Sequence, residues 1–271
     1  MIGALLHSPC RDCSAYQICA FGREEEAAQC TVALAGNPNT GKSTLFNALT
    51  GLRQHTGNWP GKTVTRAEGQ FVHAGATYRL VDLPGTYSLL SASTDEEIAR
   101  DFILFDQPNC TVVVVDATAL ERNLNLAFQV MEITDKVVVC VNLMDEARRK
   151  GIDVDVDRLS KELGVPAIAT VARTGEGLRE LVTTIAGVVD GRIATSPKLP
   201  PPPADATKLV DELVPRLHAL VPGLRNARWI AYRLIEGDYR IRQALTSGEL
   251  AALGCTSARS RSSSGRKAAA E

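Results

Sequence analysis

Residues 36–43 read Gly36-Asn37-Pro38-Asn39-Thr40-Gly41-Lys42-Ser43, inside TVALAGNPNTGKSTLFNALTG (31–51). The octet matches G-x-x-x-x-G-K-[ST]. A β-branched, strand-like run precedes it and a helical pattern over Lys42–Leu49 follows, which is the context the pattern requires. Gly36 and Gly41 let the backbone curl around phosphates. Backbone N–H groups and the helix N-terminus then face the anion. Lys42 supplies a point charge to the β- and γ-phosphates, and Ser43 offers a hydroxyl to Mg²⁺. Asn37, Pro38, Asn39, Thr40 and Thr44 complete the candidate loop.

Outward from this loop, apolar runs recur: TYRLVDL, TVVVVDA, KVVVCVNL and PAIATV. Continuous runs of this kind predict strands buried on both faces. Helical patterns over Thr94–Leu104, Asn123–Met131, Asp157–Leu163 and Leu178–Val188 alternate with them. Alternating βα units predict a mainly parallel sheet covered by helices. Arg66–Val72 is expected to pair antiparallel with Thr77–Asp82 across the turn His73-Ala74-Gly75-Ala76.

Further candidate residues follow predicted strands. Asp82-Leu83-Pro84-Gly85 places a carboxylate where it can hold Mg²⁺ and an amide where it can meet the γ-phosphate. Asn142-Leu143-Met144-Asp145 offers Asp145 to the N1–H and exocyclic amine of guanine. Adenine lacks that donor pair, so the contact discriminates between the bases. In Thr170-Val171-Ala172-Arg173-Thr174-Gly175, a backbone N–H from Ala172 is the expected partner of guanine O6, with Val171 and Arg173 beside it. Ligands bind at the carboxyl edge of open α/β sheets. The four motifs together predict a guanine-nucleotide-binding domain.

The chain has 271 residues, 45% hydrophobic and 23% charged, with a formal net charge of −1. A charge so near zero supplies no global field toward nucleic acid, and no nucleic-acid partner is expected. No apolar run reaches about 18 residues, so no transmembrane helix is expected. Residues 1–30 form a leader with four of the seven cysteines. It lacks a secretory n-region, so the thiols are expected to be reduced. His7, Cys10, Cys13 and Cys19 are candidate Zn²⁺ or iron–sulfur ligands, set against a plain thiol-rich leader. Cys110 and Cys140 read as small buried hydrophobes.

A Pro-rich linker spans 191–206 and an all-α segment 207–253, after a nucleotide domain over 31–190. Leu209, Leu213, Leu217 and Leu220 predict one apolar helix face. Trp229 and Tyr232 read as core. Residues 254–271 are polar, small and basic, and are expected to be disordered.

The segments GNPNTGKSTLFNALTG, GNWPGKTV (57–64), DLPGTYSL, NLMD and VARTGEG, in this order, resemble the cytosolic N-terminal region of the ferrous iron transport protein B (FeoB) family. ARWIAYRLIEGD (227–238) resembles the helical subdomain that follows there. The likeness runs from about Thr31 to Gly248. It implies a P-loop GTPase domain followed by a small helical subdomain that acts as a spacer and nucleotide-dissociation inhibitor. It implies GTP and GDP as ligands and attachment to an Fe²⁺ permease on the cytoplasmic side of the bacterial inner membrane. Small accessory transport proteins and a homo-oligomer are further implied partners. By the same likeness GNWPGKTV is switch I, with Gly61 and Lys62 near the nucleotide and Thr63 on Mg²⁺. K⁺ would be held by Asn39 and by the carbonyls of Gly57 and Trp59. Lys62 and Thr65 depart from the family pattern, which has a small apolar and an acidic residue there.

GTP hydrolysis needs charge neutralisation at the β–γ bridge and an oriented water. The residue after D-x-x-G is Thr86, where many small GTPases place glutamine. Arg53 and Arg66 flank switch I without an evident finger role. A monovalent cation beside Asn39 fills that electrostatic need, so Lys42, Asn39 and Thr63 are the candidate catalytic residues. The alternatives are a soluble GTPase of tRNA modification or ribosome assembly and a non-catalytic GTP-sensing module.

Overall fold

The computed structural model describes residues 30–51, 54–90, 93–201, 204–224, 226–251 and 253. The candidate metal ligands His7, Cys10, Cys13 and Cys19, together with Arg53 and the basic tail, lie outside the described residues.

Seven strands form one sheet: β1 (Cys30–Gly36), β2 (Gln54–Asn58), β3 (Thr65–His73), β4 (Ala76–Asp82), β5 (Cys110–Asp116), β6 (Val137–Asn142) and β7 (Ala167–Ala169). Their order is β2-β3-β4-β1-β5-β6-β7. From β4 to β7 every pair is parallel, while β2 and β3 run antiparallel. The expected β3–β4 hairpin is present, with His73 opposite Ala76. Its two turn residues, Ala74 and Gly75, have φ of 50° and 79°, which suits a two-residue turn matched to strand twist. β5 and β6 are buried almost throughout, as continuous β-branched runs require.

Helices cover both faces. α1 (Lys42–Thr50) and α6 (Leu178–Val189) lie over one face, where Leu45, Phe46, Leu181 and Ile185 pack on Val32, Leu34, Val112 and Val138. α2 (Thr94–Asp101) and α3 (Leu120–Ile133) lie over the other, with α4 (Met144–Arg149) and α5 (Val156–Leu163) at the sheet's end. Ser93 caps α2, accepting from the Glu96 N–H at 3.3 Å, in the spacing of a capping box. α2 runs directly into a π-turn, Phe102–Asp106.

The C-terminal helices are α7 (Ala204–Leu220), α8 (Ala227–Ile235) and α9 (Tyr239–Thr246). Their apolar residues belong to the same core cluster as α2 and α3. The buried face of α7 differs from the expectation. Leu209 and Leu220 are 54% and 68% exposed, whereas Val210, Leu217 and Val221 are buried. The burial period, seven residues and then four, starts one residue later than the leucine count suggested. One residue rotates a helix by about 100°, so Leu209 turns to solvent. Trp229 is buried as expected, and Tyr232 packs partly buried against the same core. The segment before α7 is pinned, since the Ser196 and Lys198 N–H groups donate to the carbonyls of Gly164 and Leu163.

Candidate functional site

The loop between β1 and α1 sits where the sheet reverses its build direction, with β4 on one side of β1 and β5 on the other. That is the position at which such sheets bind ligands. Gly36 approaches β5 so closely that a Cβ would lie 2.8 Å from the Val114 carbonyl oxygen. Asn39 holds φ 67°, one of the few non-glycine residues that adopt this geometry readily. The Thr40 hydroxyl donates to the Asn37 carbonyl at 2.9 Å. Asn37 is 3% exposed, with neither amide atom paired. Ser43 and Thr44 stand exposed on the first turn of α1.

The Asp82–Gly85 loop closes one wall. Lys42 is ion-paired to Asp82, and its Nζ also donates to the Leu83 carbonyl at 2.7 Å. Burial pushes the Asp82 carboxyl above the usual range, opposed by the Lys42 ammonium. A Cβ on Gly85 would lie 3.6 Å from Pro38, and the Thr86 N–H donates to the Gly36 carbonyl at 3.3 Å. Thr86 is buried, its hydroxyl donating to the Ser88 carbonyl. It presents no group for orienting water, in agreement with the missing glutamine.

Asn142 forms the other wall and is 1% exposed. Its Nδ2 donates to the Thr40 carbonyl at 2.9 Å, and its Oδ1 accepts from the Ala172 N–H at 3.0 Å and the Thr170 hydroxyl at 3.2 Å. One amide thereby fastens the phosphate loop to the Val171–Arg173 loop. The Ala172 N–H, expected for guanine O6, is directed at Asn142 instead. Leu143 adopts φ 62°, and its Cδ2 lies 3.8 Å from where a Gly41 Cβ would sit. Met144 is buried, and Asp145 opens the first turn of α4. The Asp145 carboxylate accepts from Arg173 Nη2 at 3.1 Å. Its pKa lies below the usual range: what burial there is raises it, but the bonds from Arg173 and the Glu146 N–H outweigh that. Arg148 bonds both carboxylate oxygens of Glu176, at 2.6 and 3.2 Å, tying the same loop to α4.

The segment expected to be switch I takes a form that sequence reasoning missed. Residues 54–58 are strand β2, pairing with β3 so that Gly57 lies opposite Arg66. The Trp59 N–H donates to the Val64 carbonyl at 2.9 Å, and the Lys62 N–H to the Trp59 carbonyl at 3.0 Å. Proline second and glycine third, with Gly61 at φ 68°, is the chemistry of a type II turn. That accounts for the Trp-Pro-Gly composition. Lys62 reaches Glu97 on α2 at 3.1 Å. Gly57, Gly61, Lys62 and Thr63 are exposed. The hairpin tip shares the carboxyl edge with the phosphate loop, because Ala67 registers with Asp82. It belongs, however, to strands two and three places from β1. Among the described residues, no hydrogen bond joins Gly57, Trp59 or Thr63 to the phosphate loop.

Residues 30–185 match the family model described as ferrous iron transport protein B. The chain belongs to this family. FeoB relatives include the Fe(2+) transporters of Salmonella typhimurium, 39% identical over 213 residues, and of Escherichia coli strain K12, 39% over 212 residues. Each alignment covers 77% of this chain and 27% of the relative, so the chain matches about a quarter of those FeoB transporters. Among solved structures, the cytosolic domain of L. pneumophila FeoB superposes with TM-score 0.72 at 36% identity, covering 81% of this chain and 87% of that one. The cytosolic domain of T. maritima FeoB in a GDP form gives 0.74 at 36%, covering 82% and 86%. The parallel sheet, flanking helices and helical C-terminal part are those of the FeoB P-loop GTPase fold. No helix among the described residues is long and apolar enough to cross a membrane.

Proposed function

We propose that this chain binds guanine nucleotide and hydrolyses GTP as the cytosolic portion of a FeoB-type Fe²⁺ transporter. The observation that carries the reading is the Asn142 tie, which joins the phosphate loop to the Val171–Arg173 loop through one buried side chain. Preorganised N–H donors and a fixed carboxylate are what a GTPase contributes, because phosphoryl transfer asks for position and charge rather than covalent chemistry.

In this reading the backbone from Asn37 to Thr44 cradles the phosphates, and Asp145 reads the guanine edge once Arg173 yields one carboxylate oxygen. Lys42 exchanges Asp82 for phosphate oxygens. The donor set suits Mg²⁺: the exposed Ser43 hydroxyl and the Asp82 carboxylate are hard oxygen ligands, with Thr63 joining them from switch I. Bound Mg²⁺ neutralises charge on the β- and γ-phosphates. The exposed Asn39 amide and the carbonyls of Gly57 and Trp59 are oxygen donors of a kind that accepts K⁺, which would supply the positive charge that an arginine finger supplies in other GTPases. The helical module would tune nucleotide release. The membrane-embedded remainder of the transporter, at the cytoplasmic face of the bacterial inner membrane, would be the partner that reads the GTP state.

Hydrolysis in KCl and in NaCl at equal ionic strength tests this. Turnover is expected to be faster in KCl, and Asn39→Ala should abolish the difference while GDP binding persists. Equal rates in the two salts would remove K⁺ from the reading. Absence of turnover with nucleotide bound would leave a non-catalytic sensor.

A further inference from the structure

The stretch after Gly85 is held by side chains rather than by a strand or helix of its own. Thr86 is buried, and its hydroxyl donates to the Ser88 carbonyl while accepting from the Ser88 N–H at 3.1 Å. The Leu90 N–H donates to Ser88 Oγ at 3.1 Å. That hydroxyl donates in turn to Gln129 Oε1 at 3.3 Å, and the Leu89 N–H donates to the same oxygen at 2.6 Å. One oxygen on α3 therefore gathers the bonds of three consecutive residues. A backbone N–H only donates, so the carbonyl half of the Gln129 amide is the half that faces Leu89. Leu89 is 2% exposed and belongs to the core cluster that includes α3.

α3 meets the stretch a second time. Arg122 precedes Gln129 by seven residues, about two helical turns, so both project from one stripe of the helix. Its guanidinium lies 4.6 Å from the centre of the Tyr87 ring. Tyr87 is exposed, and a cation on an exposed ring is a weak contact, so Gln129 is the firmer hold. At the other end, the Leu83 N–H donates to the Leu34 carbonyl of β1 at 3.0 Å. The Gly85 amide lies between these two anchors, with only the longer Thr86-to-Gly36 bond of 3.3 Å in between. The Thr86 hydroxyl is committed to Ser88, which leaves the Gly85 amide as the group offered to a γ-phosphate.

We propose that Gln129 is a positioning residue for GTP hydrolysis. Its side-chain oxygen fixes Leu89 and thereby sets where the Gly85 amide meets the γ-phosphate. The inference rests on the hydrolysis reading given under Proposed function. A misplacement of about 1 Å at a reacting centre costs about a hundredfold in rate. GDP has no γ-phosphate, so its binding does not draw on this anchor.

Gln129→Met keeps the length of the side chain and removes the acceptor, whereas Gln129→Glu keeps an oxygen there. Single-turnover hydrolysis of Mg²⁺-GTP in KCl and calorimetry with Mg²⁺-GDP are measured on wild type and both variants. Gln129→Met is expected to slow hydrolysis about ten- to hundredfold while GDP affinity changes by less than about threefold. Gln129→Glu is expected to bring the rate back to within about threefold of wild type. A Gln129→Met rate equal to wild type overturns the proposal and leaves the hydrolysis reading intact. So does a fall in GDP affinity that matches the fall in rate, or a loss in Gln129→Glu as large as that in Gln129→Met. If Gln129→Met does not fold, Ser88→Ala decides in its place, because it removes the hydroxyl link to Gln129. Slowing of about three- to tenfold is then expected, the size of one hydrogen bond, and an unchanged rate overturns the proposal. Wild type that binds nucleotide without turning it over overturns both readings.

Discussion

Asn142 holds the Thr40 carbonyl at 2.9 Å from a position 102 residues further along the chain. The same side chain holds the Ala172 N–H at 3.0 Å. Asn142→Ala strands two buried groups, the Thr40 carbonyl and the Ala172 N–H, each worth about 1–3 kcal/mol when left unpaired; the Thr170 hydroxyl keeps Cys140 Sγ at 3.1 Å. GDP affinity should fall by about tenfold or more even if the chain stays folded. Calorimetry with GDP, alongside thermal unfolding, separates the two effects. Gly41→Ala should do similar damage from the opposite side, because its Cβ would lie 2.4 Å from Asn142 Nδ2 at a φ of +79°.

The Asp82 carboxyl is raised by burial, against the opposing pull of Lys42. The folded chain then holds this proton more tightly than the unfolded chain. Its contribution to stability is complete below the unfolded pKa and is lost as pH rises through the folded one. Wild type should therefore lose stability relative to Asp82→Asn as pH climbs upward from about 4. Unfolding midpoints of the two proteins across that window test it, and a gap that is flat or grows the other way would contradict the raised pKa.

Burial pushes the thiols of Cys110 and Cys140 up to about 12. The thiolate is the reactive form. Neither should take up iodoacetamide at pH 8 while the chain is folded, and both should do so in denaturant. Mass spectrometry of the two peptides decides the matter. Cys30 is half-buried and its thiol is also raised, burial again the main cause, so it should label slowly rather than not at all.

Arg100 has no exposed side-chain surface. Its guanidinium bonds Asp101 at 2.9 and 3.0 Å and Asp238, at the start of α9, at 2.9 Å. Arg240 returns from α9 to Asp101 at 2.9 Å. Removing one partner of a buried ion pair costs about 3–5 kcal/mol. Arg100→Leu should lower thermal stability by that order. Asp238→Asn, which keeps the α9 cap, should cost less. A loss under 1 kcal/mol for Arg100→Leu, measured by denaturant unfolding, would mean the pair contributes little.

The strands and the loop between β1 and α1 were legible because each is written locally, whereas the Asn142 tie between two loops was not, since its partners lie 102 and 30 residues away. Buried β-branched runs and glycines at fixed spacing have few other uses. The β2–β3 hairpin was not legible: QHTGN is short and polar, and its pairing is fixed by β3 rather than by its own composition. The π-turn was hidden for a related reason. FILFD extends the apolar pattern of α2, and one inserted residue leaves that pattern almost unchanged. The Arg100–Asp238 pair spans 138 residues, a separation over which single-residue propensities carry no information. Leu209 shows the limit of periodicity itself, since a regular leucine spacing pointed one residue away from the face that is buried.

β2 is the outermost strand of its sheet. Whenever it peels away, β3 becomes the border and presents a row of unpaired N–H and C=O groups. Open borders of that kind invite a strand from another molecule. β3 carries Arg66 and Glu68, paired to each other, with Arg79 alongside on β4. Charges at such a border oppose the pairing of a second copy.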